Sequence, residues 1–329
     1  MKVLAMLGGA VSGAAVMAAF AVSVQAAPKG SLFISSEKDD AVYVLSQSTL
    51  ERTGMIRTHE RPRAMALDAT RGLLYVACGD GDAIDVIDIT SDKVIKSFDV
   101  GEDPEMFALS PDGRRMYVSN EDDGLLTVFD LEKGEKIAEV EVGEEPEGVL
   151  ADPSGKRVYV TSEVANMVHV VDASNHESIA DIVVGNRPRR FALTNDGKRL
   201  WVTNEIGGSV SIIDTAANEV VGELRFEPKG FRAESVTPVG IVMDATSQKA
   251  YVALGGANHV AVVDVGSAKV EAYVLVGQRP WNLAFNRDQS LLYVTNGRSD
   301  DMSVIDVASR RVQRSVPVGR VPHTVVVYD

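Results

Sequence analysis

Seven regularly placed prolines are followed in turn by Arg63, Glu105, Glu147, Arg189, Val239, Trp281 and His323. Guanidiniums can clamp an anion, carboxylates and an imidazole can move protons, and an indole offers a stacking face. A second set comes from the segment after a recurring Tyr–Val–Thr–Asn-like run: Glu37, Glu121, Glu163 and Glu205. If both sets share one face, they form a rim able to bind a small ligand or a partner. The plainer reading is a ring of compensating salt bridges, worth about 0–1 kcal/mol each where exposed.

Other chemistries find little support. The single cysteine, Cys78, excludes an internal disulfide, a paired-cysteine zinc site, iron–sulfur ligation and covalent c-type haem. The five histidines never fall at i, i+4 spacing, so no helical zinc motif exists. Asp-Gly turns such as Ser110-Pro111-Asp112-Gly113 lack the alternating carboxylates and distal glutamate of a calcium loop. No metal and no cofactor is therefore expected. With 33 Lys+Arg against 47 Asp+Glu, the net charge of −14 argues against nucleic acid and anionic lipid as partners.

The elements that must hold these residues are announced by repetition. The aromatic of the recurring run stands at Phe33, Tyr75, Tyr117, Tyr159, Trp201, Tyr251 and Tyr293, at spacings of 42 residues with one step of 50. The prolines (Pro62, Pro104, Pro146, Pro188, Pro238, Pro280, Pro322) keep the same rhythm. Each copy reads as four short strands, rich in β-branched and aromatic residues between Gly, Pro, Asn and Asp breaks. Seven such copies predict an all-β, seven-bladed β-propeller. The chain starts its first copy at the second strand type and ends on the first type, Thr324 to Tyr328. The C-terminal strand should therefore complete the N-terminal blade and close the ring.

Residues 1–26 read as a cleaved signal peptide: Lys2, an uncharged run from Val3 to Val24, then Val24-Gln25-Ala26. This implies a periplasmic, soluble and monomeric protein, with residues 27–329 forming the single propeller domain.

The repeats resemble the YVTN-repeat propeller family. The match is carried by Leu292-Tyr293-Val294-Thr295-Asn296, the Val276-Gly277-Gln278-Arg279-Pro280 approach and Val304-Ile305-Asp306. Length, repeat number and export make the chain similar to the propellers associated with pyrroloquinoline-quinone-dependent (PQQ-dependent) alcohol catabolism. That resemblance implies a non-enzymatic accessory protein, whose partner would be a quinoprotein dehydrogenase, a cytochrome or a transporter component. Two alternatives stay open. A hydrolase resembling the seven-bladed lactonases would use His323 with Glu105 or Glu147 as acid–base groups and Arg63 or Arg189 as clamps. A relative of the haem d1 propellers would need His323 or Met106 as axial ligand.

Two further features depart from the repeat. The extra eight residues fall between Phe226 and Pro238, where Phe226 and Phe231 with Lys229 and Arg232 suggest a contact surface or lid at the channel mouth. Loops of two adjacent copies gather Glu102, Asp103, Glu105, Asp122, Asp123, Glu144 and Glu145 with no Lys or Arg among them. That acidic sector is expected to dock a basic protein surface or, failing that, a multivalent cation.

Overall fold

The computed structural model describes residues 29–329, so the expected leader at 1–26 lies outside the described residues. Twenty-eight strands form seven four-stranded antiparallel sheets. In each blade strand A starts at the repeat proline, and in all but the last blade strands B, C and D follow it by hairpins. Blade 1 is Pro62–Asp68, Leu73–Cys78, Ala83–Asp88 and Lys93–Asp99. The A strands of blades 2 to 6 are Pro104–Leu109, Pro146–Ala151, Pro188–Leu193, Pro238–Met243 and Pro280–Phe285. Blade 7 pairs Pro322–Tyr328 with Ser31–Ser36, Ala41–Ser46 and Arg52–Arg57. The two ends of the chain thus close the ring as the repeat register predicts.

The A strands contact one another around the ring, which places them innermost. The D strands, such as Glu135–Glu141, are largely exposed and form the outer edge. The core lies between blades. Tyr117 of blade 2 packs with Val149, Val158 and Val160 of blade 3, and Tyr159 with Leu200, Val202 and Ile213 of blade 4. Burying such side chains contributes about 1.5–3 kcal/mol each.

Every A–B pair slips register just after its proline, as between Pro62 and Met65 or Pro188 and Phe191. The bulge frees the first residues of strand A from the ladder and turns them toward the channel. A hydroxyl of strand B repairs the lost backbone bonds. Thr203 Oγ1 accepts the Arg190 N–H at 3.0 Å and donates to the Val239 carbonyl of the next blade at 2.7 Å. Thr161, Thr295, Ser35 and Ser119 donate in the same way to the carbonyls of Arg189, His323, Arg63 and Glu147. The threonine of the repeat motif is therefore an inter-blade fastener. Blades 1 and 5 carry Ala77 and Ala253 there, so Glu105 and Trp281 lack this anchor.

Candidate functional site

The loop before six of the seven prolines ends in a left-handed residue: Arg61, Asp103, Glu145, Arg187, Arg279 and Val321 all have φ between 45° and 59°. Non-glycine residues persist there only when their surroundings fix them. Asp40, Asp82, Asn166, Asn258 and Asp300 do so by accepting the backbone N–H of Arg61, Asp103, Arg187, Arg279 and Val321 respectively. The carbonyls of the same residues bond the N–H just beyond strand B, as in Glu121 to Asp103 and Glu163 to Glu145. The two loop sets are thereby laced together on one face.

The rim residues expected from the sequence do come together, but as a buried network. Arg63, Glu105, Glu147, Glu163, Arg189, Glu205 and His323 are all buried, and Trp281 and Glu121 are half-buried. Arg189 pairs with Glu163, reaches Glu147 at 3.4 Å and lies 3.6 Å from Glu205. Arg190 pairs with Glu147, and Arg187 reaches Glu163 at 2.6 Å and Glu205 at 3.3 Å. Arg279 reaches Glu205 at 2.5 Å and lies over Trp281, 4.2 Å from the ring centre. Trp281 in turn stands 5.5 Å from the His323 ring. Gly297 makes room for the indole, since a Cβ there would lie 2.3 Å from Trp281 Nε1. Exposed-pair energetics do not apply to such a network, because each partner removed strands a buried charge.

On the opposite side, Arg63 pairs with Glu105 at 2.5 Å and lies 3.5 Å from Glu37. Arg61 pairs with Asp103 and reaches Glu105 at 3.1 Å. Arg63 Nη2 stands 3.4 Å from His323 Nε2, while His323 Nδ1 is 2.9 Å from Thr324 Oγ1. Burial first, then Arg63 and Arg190, hold the imidazole neutral with its pKa well below 6.5. Nδ1–H then donates to Thr324, leaving the Nε2 lone pair toward Arg63. Arg190 has one guanidinium nitrogen, Nη2, buried with no partner among the described residues.

Proton affinities differ from one carboxylate to the next. Burial opposes ionisation of Glu147 and Glu205, yet Arg189 with Arg190 and Arg279 respectively holds each below the usual carboxylate range. Burial lifts Glu163 to about 7, Arg189 offsetting it only in part. Burial and the Glu105 charge raise Asp103 to about 6 and Glu121 to about 9.

Arg61, Arg187, Arg190 and Arg279 belong to this network although the sequence reading placed none of them in the site. The signal was available, since they flank the same proline one residue before or two after. The acidic sector divides: Asp103, Glu105 and Glu145 join the network, whereas Glu102, Asp122, Asp123 and Glu144 are exposed. In the insertion, Phe226 is core rather than contact surface, packed with Trp201 and Val252 at 2% exposure. Phe231 meets His259 at 5.5 Å and the Glu227 N–H donates to Tyr273, so the loop lies on the outer strands of blade 5. Lys229 and Arg232 point to solvent, Arg232 lying 3.8 Å from Glu234.

Comparison with known proteins bears on fold and function. Residues 173–328 match the family model described as "Lactonase, 7-bladed beta-propeller". No curated protein sequence matches the chain. Among solved structures, hydrazine synthase of Kuenenia stuttgartiensis superposes with a TM-score of 0.78 at 22% identity, covering 91% of this chain and 99% of that one. The periplasmic gluconolactonase PpgL of Pseudomonas aeruginosa gives 0.75 at 20% identity, over 90% and 98%. A putative 6-phosphogluconolactonase of Bacteroides uniformis gives 0.75 at 14% identity, over 90% and 98%. At these identities the solved structures share the fold alone. The family match overturns the expected non-enzymatic role in PQQ-dependent alcohol oxidation and favours the hydrolase alternative. The chain belongs to the seven-bladed β-propellers, and its C-terminal half carries the lactonase-propeller signature.

Proposed function

We propose that the protein opens a lactone, of the sugar-acid class, by adding water at the channel mouth. The observation that carries this reading is the neutral imidazole of His323, its Nε2 facing Arg63. The open nitrogen of Arg190 and the lactonase-family match over residues 173–328 support it.

The residues divide the work by charge. His323 Nε2 accepts a proton from water as the water oxygen adds to the lactone carbonyl. Arg63 and Arg190 donate to the carbonyl oxygen as it becomes an oxyanion. The tetrahedral centre then expels the ring oxygen, which takes the proton held by His323. Lactone plus water gives the hydroxy acid, whose new carboxylate the same guanidiniums hold. Because Arg63 lies at Nε2 and His323 is only 1% exposed, Arg63 must swing aside before the imidazole takes a proton. Glu147 keeps Arg189 and Arg190 in place and stays ionised as it does so.

The test is a pH-stat assay over a panel of five- and six-membered aldonolactones, with phosphorylated and plain forms. Catalysed ring opening is expected, with kcat lowered about 10²–10⁴-fold in His323→Asn. Absence of catalysis across the panel, or full activity in His323→Asn, would refute it.

A further inference from the structure

We propose that Asp103, Glu105 and Glu121 hold a divalent cation of the hard, oxygen-seeking class, with calcium the best fit. One carboxylate oxygen from each of the three lies within 4.8 Å of the other two. Calcium holds its oxygens at about 2.3–2.6 Å, so ligands on opposite sides of the ion stand about 5 Å apart. One ion at the centre would reach all three.

Acidic clusters are common without an ion, and the separate observation here is Glu105. Its side chain is fully buried. Its Oε1 receives Arg61 and Arg63, whereas Oε2 has no donor among the described residues. A buried oxygen left in that state costs free energy that a donor or a cation would recover. The side chain beside it is Glu121, itself an acceptor unless protonated, and no guanidinium or ammonium pairs with Glu121 among the described residues. A proton or a cation between these two carboxylates would relieve their repulsion. A proton would serve that pair alone, whereas a divalent ion would serve Asp103 as well.

Glu121 also converges with Glu145 and Glu163. In that second triad a guanidinium, Arg187, stands 2.6 Å from Glu163 Oε2, whereas in the first triad both arginines reach only Oε1 of Glu105 and leave Oε2 open. The first triad is therefore the site. The local balance agrees: Arg61 and Arg63 face five carboxylates, those of Glu37, Asp80, Asp103, Glu105 and Glu121. Hard cations accept such oxygen-only ligation, and the absence of nitrogen or sulfur ligands disfavours zinc and copper.

The test is calorimetric titration of chelator-treated protein with calcium chloride, alongside thermal melting in calcium, magnesium or manganese. One calcium per chain is expected, with a raised melting temperature. Glu121→Gln should weaken binding at least tenfold, and Asp103→Asn provides the same reading if that variant folds poorly. Glu227→Gln, on the exposed insertion, should bind as the unmodified protein does. No heat and no melting shift up to about 10 mM calcium, beyond the weakest extracellular calcium modules, would overturn the site. So would equal binding by Glu121→Gln and Asp103→Asn. Neither readout involves a lactone, so its failure leaves the hydrolase reading standing.

Discussion

The two sides of the channel mouth use the same repeat positions in different ways. Across blades 3 to 6, Arg187, Arg189, Arg190 and Arg279 meet Glu145, Glu147, Glu163 and Glu205, one cation for each carboxylate. Across blades 7, 1 and 2, two arginines face five carboxylates, and one of those, Glu121, has only other acids beside it. A balanced network is rigid because every member is held by its neighbours. An acid-rich one stores repulsion that a proton or an ion relieves. His323 and Trp281 stand between the two sides, and burial, joined by a guanidinium from each side, Arg63 and Arg190, lowers the proton affinity of His323.

If the contrast holds, the largest effect should come from breaking the balanced side. Glu147→Ala strands Arg190, which has no other carboxylate partner among the described residues, in a buried site and should cost about 3–5 kcal/mol in urea denaturation. Glu121→Ala, on the acid-rich side, should cost far less, and equal costs would dissolve the distinction. Thr203→Val removes the fastener between blades 4 and 5, leaving the Arg190 N–H and the Val239 carbonyl without it. A loss of about 1–3 kcal/mol is expected from the same measurement.

A smaller effect depends on pH. Glu121 keeps its proton to about 9 in the folded chain against an ordinary value of 4.5, through burial and the charges of Glu105, Glu147 and Asp103. The unfolded chain releases that proton first, so the stability Glu121 contributes is present below about pH 4.5 and is lost as pH rises toward 9. In chelator-treated protein, Glu121→Gln should therefore gain melting temperature over the unmodified protein as pH rises from 6 to about 9. A constant difference would contradict the assignment. The smallest effect belongs to the insertion: Phe231→Ser should stay within about 0.5 kcal/mol. Phe226→Ala should cost about 3–5 kcal/mol, because that ring is core.

The fold was legible because seven copies of one pattern report the same strands, turns and closure independently. The rim was legible in part, since positions that vary between copies, Arg63 through His323, marked the inner loop. Burial was not legible, because exposure at the mouth depends on how seven side chains meet across the ring. The threonine of the repeat reads as strand propensity in the sequence; its bond to the next blade's carbonyl appears only once blades are adjacent. The proposed cation triad was legible only as a charged sector holding Asp103 and Glu105; its convergence with Glu121 was not, because the three come from segments up to eighteen residues apart rather than from one contiguous calcium loop. Phe226 read as part of an insertion because the repeat count assigns extra residues to a loop without saying where the core ends.

The most direct test of the mouth chemistry is the pH dependence of kcat/KM for lactone opening. Burial, with Arg63 and Arg190, should keep His323 deprotonated well below pH 6.5. The rate should therefore persist through neutrality and decline only well below pH 6.5, and His323→Asn should lose both the rate and that acid limb. An acid limb centred at 6.5 or above, or one retained unchanged in His323→Asn, would contradict the assignment of His323 as the base.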